Sequence, residues 1–145
     1  MEEKRLARLV VTRMLRFGDC DPSGVAYFPS YLNILCGVTQ EFWQRIGHSW
    51  NTQHAGRGIG TPTVHLACDF VAPSTYGDEL SFTVSIGRLG RSSLELRHEI
   101  TCGEERRWSA KQILALVHFG RRRKPLPWPD DIRTALQHFM ESPDA

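Results

Sequence analysis

A chain of 145 residues with a formal charge of +2 and 41% hydrophobic residues has the make-up of an ordinary globular protein able to bury one sizeable core. So small a charge gives no general affinity for nucleic acid, and no apolar run reaches the length of a membrane span. The start, Met1-Glu2-Glu3-Lys4-Arg5, lacks the apolar segment of a secretory leader, so one cytoplasmic domain over 1–145 is expected. Cys20, Cys36, Cys68 and Cys102 form no C-x-x-C pair and are expected as free thiols.

In chain order, Leu6 to Phe17 sets Val10, Val11, Met14 and Leu15 among arginines and reads as a first strand. Gly18, Pro22 and Gly24 then forbid a regular element and leave Asp19 and Asp21 on a loop. Ser30, after Pro29, opens a helix that runs to Ile46. Tyr31, Ile34, Leu35, Val38, Phe42 and Ile46 recur three and four apart, and Leu32, Cys36 and Trp43 widen the stripe. The helix therefore reads as a rod surrounded by core. Gly37 inside it costs about 1 kcal/mol against alanine, which predicts close backbone packing there. Gly47 is placed for a left-handed cap.

Residues 48–62 form a Gly-rich loop holding Trp50, His54, Gly58 and Gly60, and so long a connection is often functional. Alternation then predicts strands over Thr63–Ala72, Leu80–Ile86 and Leu94–Ile100, separated by the breaks at Pro73–Asp78 and Gly87–Gly90. Trp108–Phe119 reads as a last long strand, apolar on both faces and hence central. Residues 120–129 are basic and proline-rich, and Asp130–Met140 is a short amphipathic helix with Ile132, Leu136, Phe139 and Met140 inward. The sum is an α+β domain in which a curved antiparallel sheet wraps a long helix, with its edges hidden by pairing in a dimer.

A carboxylate on a loop just ahead of a helix N-terminus admits two readings. Asp19 or Asp21 caps a turn, the commoner case. Alternatively, one of them attacks or activates water while the unpaired N–H groups and positive end of the helix polarise a carbonyl.

Phe17-Gly18-Asp19-Cys20-Asp21-Pro22-Ser23-Gly24, followed by Pro29 and Tyr31, resembles the hotdog-fold acyl-CoA thioesterases of the 4-hydroxybenzoyl-CoA thioesterase family. Gly58-Ile59-Gly60-Thr61-Pro62 supports the likeness. The resemblance implies that Asp21 is the catalytic carboxylate, as nucleophile or general base. It implies that the backbone N–H of Phe28 polarises the thioester carbonyl, although the family usually has tyrosine or histidine at or near that point. It also implies an active site at a subunit interface of a homodimer, often paired into a homotetramer. A thiolate leaves readily, so one carboxylate and one oxyanion stabiliser suffice.

Given that resemblance, Gly60 and Thr61 present a donor to the substrate or simply turn the chain before Pro62. Trp50 stacks on an aryl group or anchors its loop. Arg88, Arg91 and the run Arg121-Arg122-Arg123-Lys124 are candidates for the coenzyme A phosphates, each weighed against an ordinary solvated role. In another hotdog branch a helical glutamate is catalytic, which makes Glu41 the alternative acid; with Asp21 present it reads as an exposed or hydrogen-bonded helix residue. The six histidines show no H-E-x-x-H spacing, and neither a metal nor a cofactor is expected; coenzyme A belongs to the substrate. The expected activity is hydrolysis of an acyl-CoA, with an aromatic acyl group preferred. Short-chain or fatty acyl-CoA is the alternative, and a non-catalytic acyl- or protein-binding domain is the rival, with no nucleic-acid or membrane partner.

Overall fold

The computed structural model of the protein describes residues 7–121 and 124–141. Period-two hydrophobicity is satisfied by a sheet with one wet face. Leu80, Phe82, Val84 and Ile86 on β4 (Glu79–Leu89) and Leu94, Leu96, His98 and Ile100 on β5 (Ser93–Cys102) are all buried, and the residues between them are not. β1 (Arg8–Met14), β6 (Glu105–Ala115) and β3 (Thr63–Phe70) complete a five-stranded antiparallel sheet in the order β1-β4-β5-β6-β3. A second ladder pairs β2 (Ile59–Gly60) with β7 (Val117–His118).

α1 (Phe28–Arg45) lies against the dry face of the sheet and buries Tyr31, Leu35, Val38, Thr39, Phe42 and Trp43. Each fully buried large apolar side chain contributes roughly 1.5–3 kcal/mol, so this face fixes the helix on the sheet. α2 (Asp130–Glu141) covers the far end of α1 through Phe139, whose ring meets Phe42 edge to face at 5.2 Å. No helix among the described residues is long and apolar enough to cross a membrane, and all four cysteines are free.

Five expectations are corrected. The first strand stops at Met14, because Leu15 turns to exchange backbone hydrogen bonds with Gly77 and Asp78. α1 begins at Phe28 rather than Ser30, since Pro29 in the first turn gives up an N–H that has no helical acceptor there. α1 is not surrounded: Asn33, Cys36, Gly37 and Gln40 are exposed, and a Cβ on Gly37 would meet nothing within 4 Å. The last strand breaks at Leu116, which is buried outside both ladders, while its longer part, β6, is an interior strand between β5 and β3 as expected. Met140 is 39% exposed on α2.

β3 departs furthest from its pattern. It is an edge strand on which every residue except Cys68 is exposed in the single chain. It also carries a bulge: Thr63 pairs with Leu114 and His65 with Ile113, so Val64 has no opposite number.

Candidate active site

The two aspartates of the loop have separate work. Asp19 ends a 3-10 turn, and its Oδ2 accepts the N–H of Arg16 at 2.9 Å. Asp21 opens a tight turn that closes when Gly24, at φ +85°, donates its N–H to the Asp21 carbonyl at 2.9 Å. Asp21 Oδ1 accepts the N–H of Ser23 at 2.8 Å and also its hydroxyl. Asp21 Oδ2 has no partner among the described residues, and the side chain is half-buried. The carboxylate is thus oriented by one oxygen and free at the other.

The turn is the tip of a small hairpin. Cys20 bridges to Ala26, and Asp19 accepts the N–H of Tyr27 at 2.9 Å. The hairpin is anchored sideways, because Thr75 donates its hydroxyl to Gly24 and Ala26 donates its N–H to Ser74. Arg107 stiffens that support by bonding Pro73, Ser74 and Asp78. The Thr75 N–H first, and Arg107 second, hold the Asp78 carboxyl below the usual carboxylate range.

The hairpin delivers the chain directly into α1. The N-cap residue Tyr27 makes no side-chain cap bond, and Phe28 N–H has no acceptor among the described residues. An open helix start of this kind is a positive end ready for an oxyanion. A cavity of about 330 Å³ adjoins it, lined by Val25, Ala26, Phe28, Tyr31, Phe70 and Ser74 among others.

Two further cavities lie beside the loop after α1, which is not structureless. A π-helical turn, Thr52–Gly56, sits inside it and is pinned to α2 by the Arg57–Asp131 pair at 2.6 Å. The cavity of about 410 Å³ is walled by Trp50, His54, Thr61, Pro62, Val117 and Phe119, with Gly60 at its base. Gly60 makes room for these rings: a Cβ would come within 3.2 Å of the Phe119 ring and 3.5 Å of His54 Nε2. The second cavity, about 340 Å³, shares Trp50, Thr61 and Pro62 and continues between α1 and β3. The structure therefore brings Trp50, Gly60 and Thr61 together. It adds His54 and Phe119, which meet edge to face at 4.8 Å and which no spacing in the sequence could pair.

The basic candidates collect elsewhere. Arg88 and Arg91 flank the β4–β5 turn, Arg121 ends a 3-10 turn after β7, and all three are exposed. Gly87 forms a bulge before Arg88, where a Cβ would run into the Glu95 and Arg97 side chains. The β4–β5 turn is tied to the segments before and after the basic run, since Ser92 accepts the N–H of Leu116 and Arg91 that of Trp128. Arg122 and Arg123 lie outside the described residues. Glu41 is paired with Arg13 at 2.6 Å and lines none of the three cavities. No group of three or more metal-binding side chains converges among the described residues.

α1 and β3 run in opposite directions along one open groove. Phe70, at the end of β3, stacks on Tyr31 at the start of α1. Thr63, at the start of β3, is joined through Gln112 to Thr39, farther along α1. The Phe28 N–H and the hairpin ahead of it thus mark one end of the groove, and the Trp50 cavities mark the other; the Asp21 side chain, like Glu41, lines none of the three cavities.

Residues 15–136 match the model of the thioesterase-like superfamily. The chain is 32% identical over 120 residues to a 1,4-dihydroxy-2-naphthoyl-CoA hydrolase of Acaryochloris marina, covering 80% of this chain and 88% of that protein. It is 32% identical over 95 residues to the 4-hydroxybenzoyl-CoA thioesterase of a Pseudomonas species, covering 64% of this chain and 67% of that one. The solved structure of the latter superposes with a TM-score of 0.81 at 27% identity, over 89% of this chain and 99% of that one.

Proposed function

The chain belongs to the thioesterase-like superfamily and hydrolyses thioesters of coenzyme A; from that premise we propose an aromatic acyl-CoA as its substrate, cleaved by Asp21 in a site shared by two chains. The observation that carries the chemistry is Asp21 with one oxygen bound and one free, on a hairpin that leads into a helix start whose first N–H is unspent.

The free Oδ2 either attacks the thioester carbonyl or takes a proton from an attacking water. The carbonyl oxygen, gaining negative charge, is stabilised by the Phe28 N–H and the positive end of α1. The C–S bond then breaks and coenzyme A leaves as a thiolate, which needs no strong acid to accept it; on the nucleophilic route water then hydrolyses the acyl–Asp21 anhydride to the free acid. Oxygen-18 from water appearing in Asp21 after a single turnover would mark the covalent route, and its absence together with no trappable acyl–Asp21 adduct the general-base route.

The aromatic preference draws on the cavity walls of Trp50, His54 and Phe119, flat faces suited to a ring. Two named relatives, a 1,4-dihydroxy-2-naphthoyl-CoA hydrolase and a 4-hydroxybenzoyl-CoA thioesterase, have aryl substrates. The shared site draws on β3. An exposed edge carrying Val64, Leu66 and Phe70 is a template for a second copy. Antiparallel pairing of two such strands would lay the Asp21 end of one groove against the Trp50 end of the other. Arg88, Arg91 and Arg121 are then the candidates for the coenzyme A phosphates.

The test is thiol release from benzoyl-, hydroxybenzoyl-, acetyl- and decanoyl-CoA by the purified protein. Fastest release from an aryl-CoA is expected. Preference for an aliphatic chain would overturn the aromatic reading.

A further inference from the structure

The chemistry above leaves unused a polar cluster at the base of the cavity between α1 and β3. His98 and Gln112 are the two buried polar side chains that the sheet sends inward among the described residues, 1% and 5% exposed. His98 Nε2 lies 2.9 Å from Gln112 Oε1. A carboxamide oxygen cannot donate, so His98 does, and its Nδ1 keeps a bare lone pair with no partner. The reversed amide would require a buried Nδ1–H without an acceptor, the rarer kind of orphan. Burial pushes this imidazole down to about 4, so it is neutral at ordinary pH.

That bond sets the direction of the whole cluster. Gln112 Oε1 accepts from His98, and it shares the single proton of the Thr39 hydroxyl, 3.0 Å away, with the Leu35 carbonyl at 2.9 Å. Gln112 Nε2 is turned toward Thr63 and donates to its hydroxyl at 2.9 Å. The second N–H of Gln112 and the O–H of Thr63 have no acceptor among the described residues. The β3 bulge is what brings Thr63 here. Opposite buried Leu114, it faces α1 on the same side as Leu66, which sits opposite Gln112; a regular strand would turn residues 63 and 66 to opposite faces. The rest of the lining, including Leu32, Leu35, Leu66 and Leu114, is apolar.

We propose that Gln112 and Thr63 are specificity-determining residues that donate hydrogen bonds to an oxygen atom carried by the acyl group, a hydroxyl or keto oxygen away from the thioester, with His98 as the positioning residue that aims Gln112. This rests on the thioesterase reading of the same groove. An apolar cavity with two aimed donors disfavours an acyl group lacking that oxygen, because covering the donors leaves them unpaired.

Steady-state kinetics on benzoyl-CoA and its 2-, 3- and 4-hydroxy derivatives test it. At least one hydroxy derivative is expected to exceed benzoyl-CoA in kcat/KM by about tenfold or more. That ratio collapses toward one in Gln112→Met and in Thr63→Val, the latter a near-isosteric change that leaves the β3 backbone pairing in place. His98→Leu loses the ratio and His98→Gln, which restores an N–H donor, keeps it; a merely structural histidine would not separate the two. No wild-type preference for any hydroxy derivative, or a ratio unchanged in both Gln112→Met and Thr63→Val, overturns the proposal. Should no aryl-CoA be hydrolysed, calorimetric binding of benzoate and the three hydroxybenzoates decides. Tighter binding of a hydroxybenzoate that Gln112→Met removes supports the proposal while the thioesterase reading fails. Equal binding of all four acids by the wild type overturns it.

Discussion

The two ends of the α1–β3 groove are built on opposite plans. At the α1 start the backbone is polar and tightly wired: a hairpin, an oriented carboxylate and an unspent N–H. At the other end Trp50, His54, Phe119 and Pro62 enclose space, and no carboxylate lines either cavity. On the proposed reading, reactive group and acyl pocket are therefore segregated within one chain. Neither end is then a complete site, and the exposed β3 edge is the proposed seam across which two chains complement each other.

The most damaging change should fall at the reactive end. Asp21→Asn keeps an oxygen for the Ser23 bond but cannot attack or take a proton, and turnover should fall by about 10²–10⁴-fold with mass and melting temperature unchanged. Asp19→Asn should leave most turnover, since Asp19 only ends the preceding 3-10 turn; an equal loss in both variants would erase the distinction between the aspartates. The seam can be tested directly with Gly60→Val, which fills the opposite cavity against Phe119. Each variant alone is inactive on the shared-site reading. Random mixing of refolded Asp21→Asn and Gly60→Val chains should restore about a quarter of wild-type turnover, because half the dimers are mixed and each holds one intact site. No recovery would place the whole site within one chain.

A smaller effect is expected under acid. His98 is buried neutral, and its folded value of about 4 lies below the unfolded one near 6.5. The unfolded chain takes up this proton first, so the stability tied to neutral His98 is intact above about pH 6.5 and is lost as pH drops toward 4, by on the order of 3 kcal/mol. Urea midpoints across that range should show the fall, and His98→Gln should flatten it. Trp50→Ala should lower kcat/KM for benzoyl-CoA by about tenfold and for acetyl-CoA by less, as the loss of one aromatic face implies. Least of all, Glu41→Gln breaks an ion pair on the outside of α1 and should cost under about 1 kcal/mol by denaturant titration, with turnover within twofold. A large loss of turnover there would move the catalytic acid from Asp21 to the helix.

Composition and periodicity alone determined that one long helix and an antiparallel run of strands form an α+β unit, that the aspartate loop precedes the helix, and that Trp50, Gly60 and Thr61 lie in one unusual connection. Those features are local: a 3.6-residue or two-residue repeat, or a glycine at a turn, is written in neighbouring residues. Tertiary structure decided the rest. The bulge at Val64 turned Thr63 toward Gln112, Leu116 split the last strand, and His54 and Phe119 met over Gly60 although 65 positions separate them in the chain. Gly37 was predicted in close packing and faces open space instead. Each of these outcomes depends on register between strands or on contact between distant segments. A one-residue shift reverses the face a side chain occupies, and no local pattern encodes it.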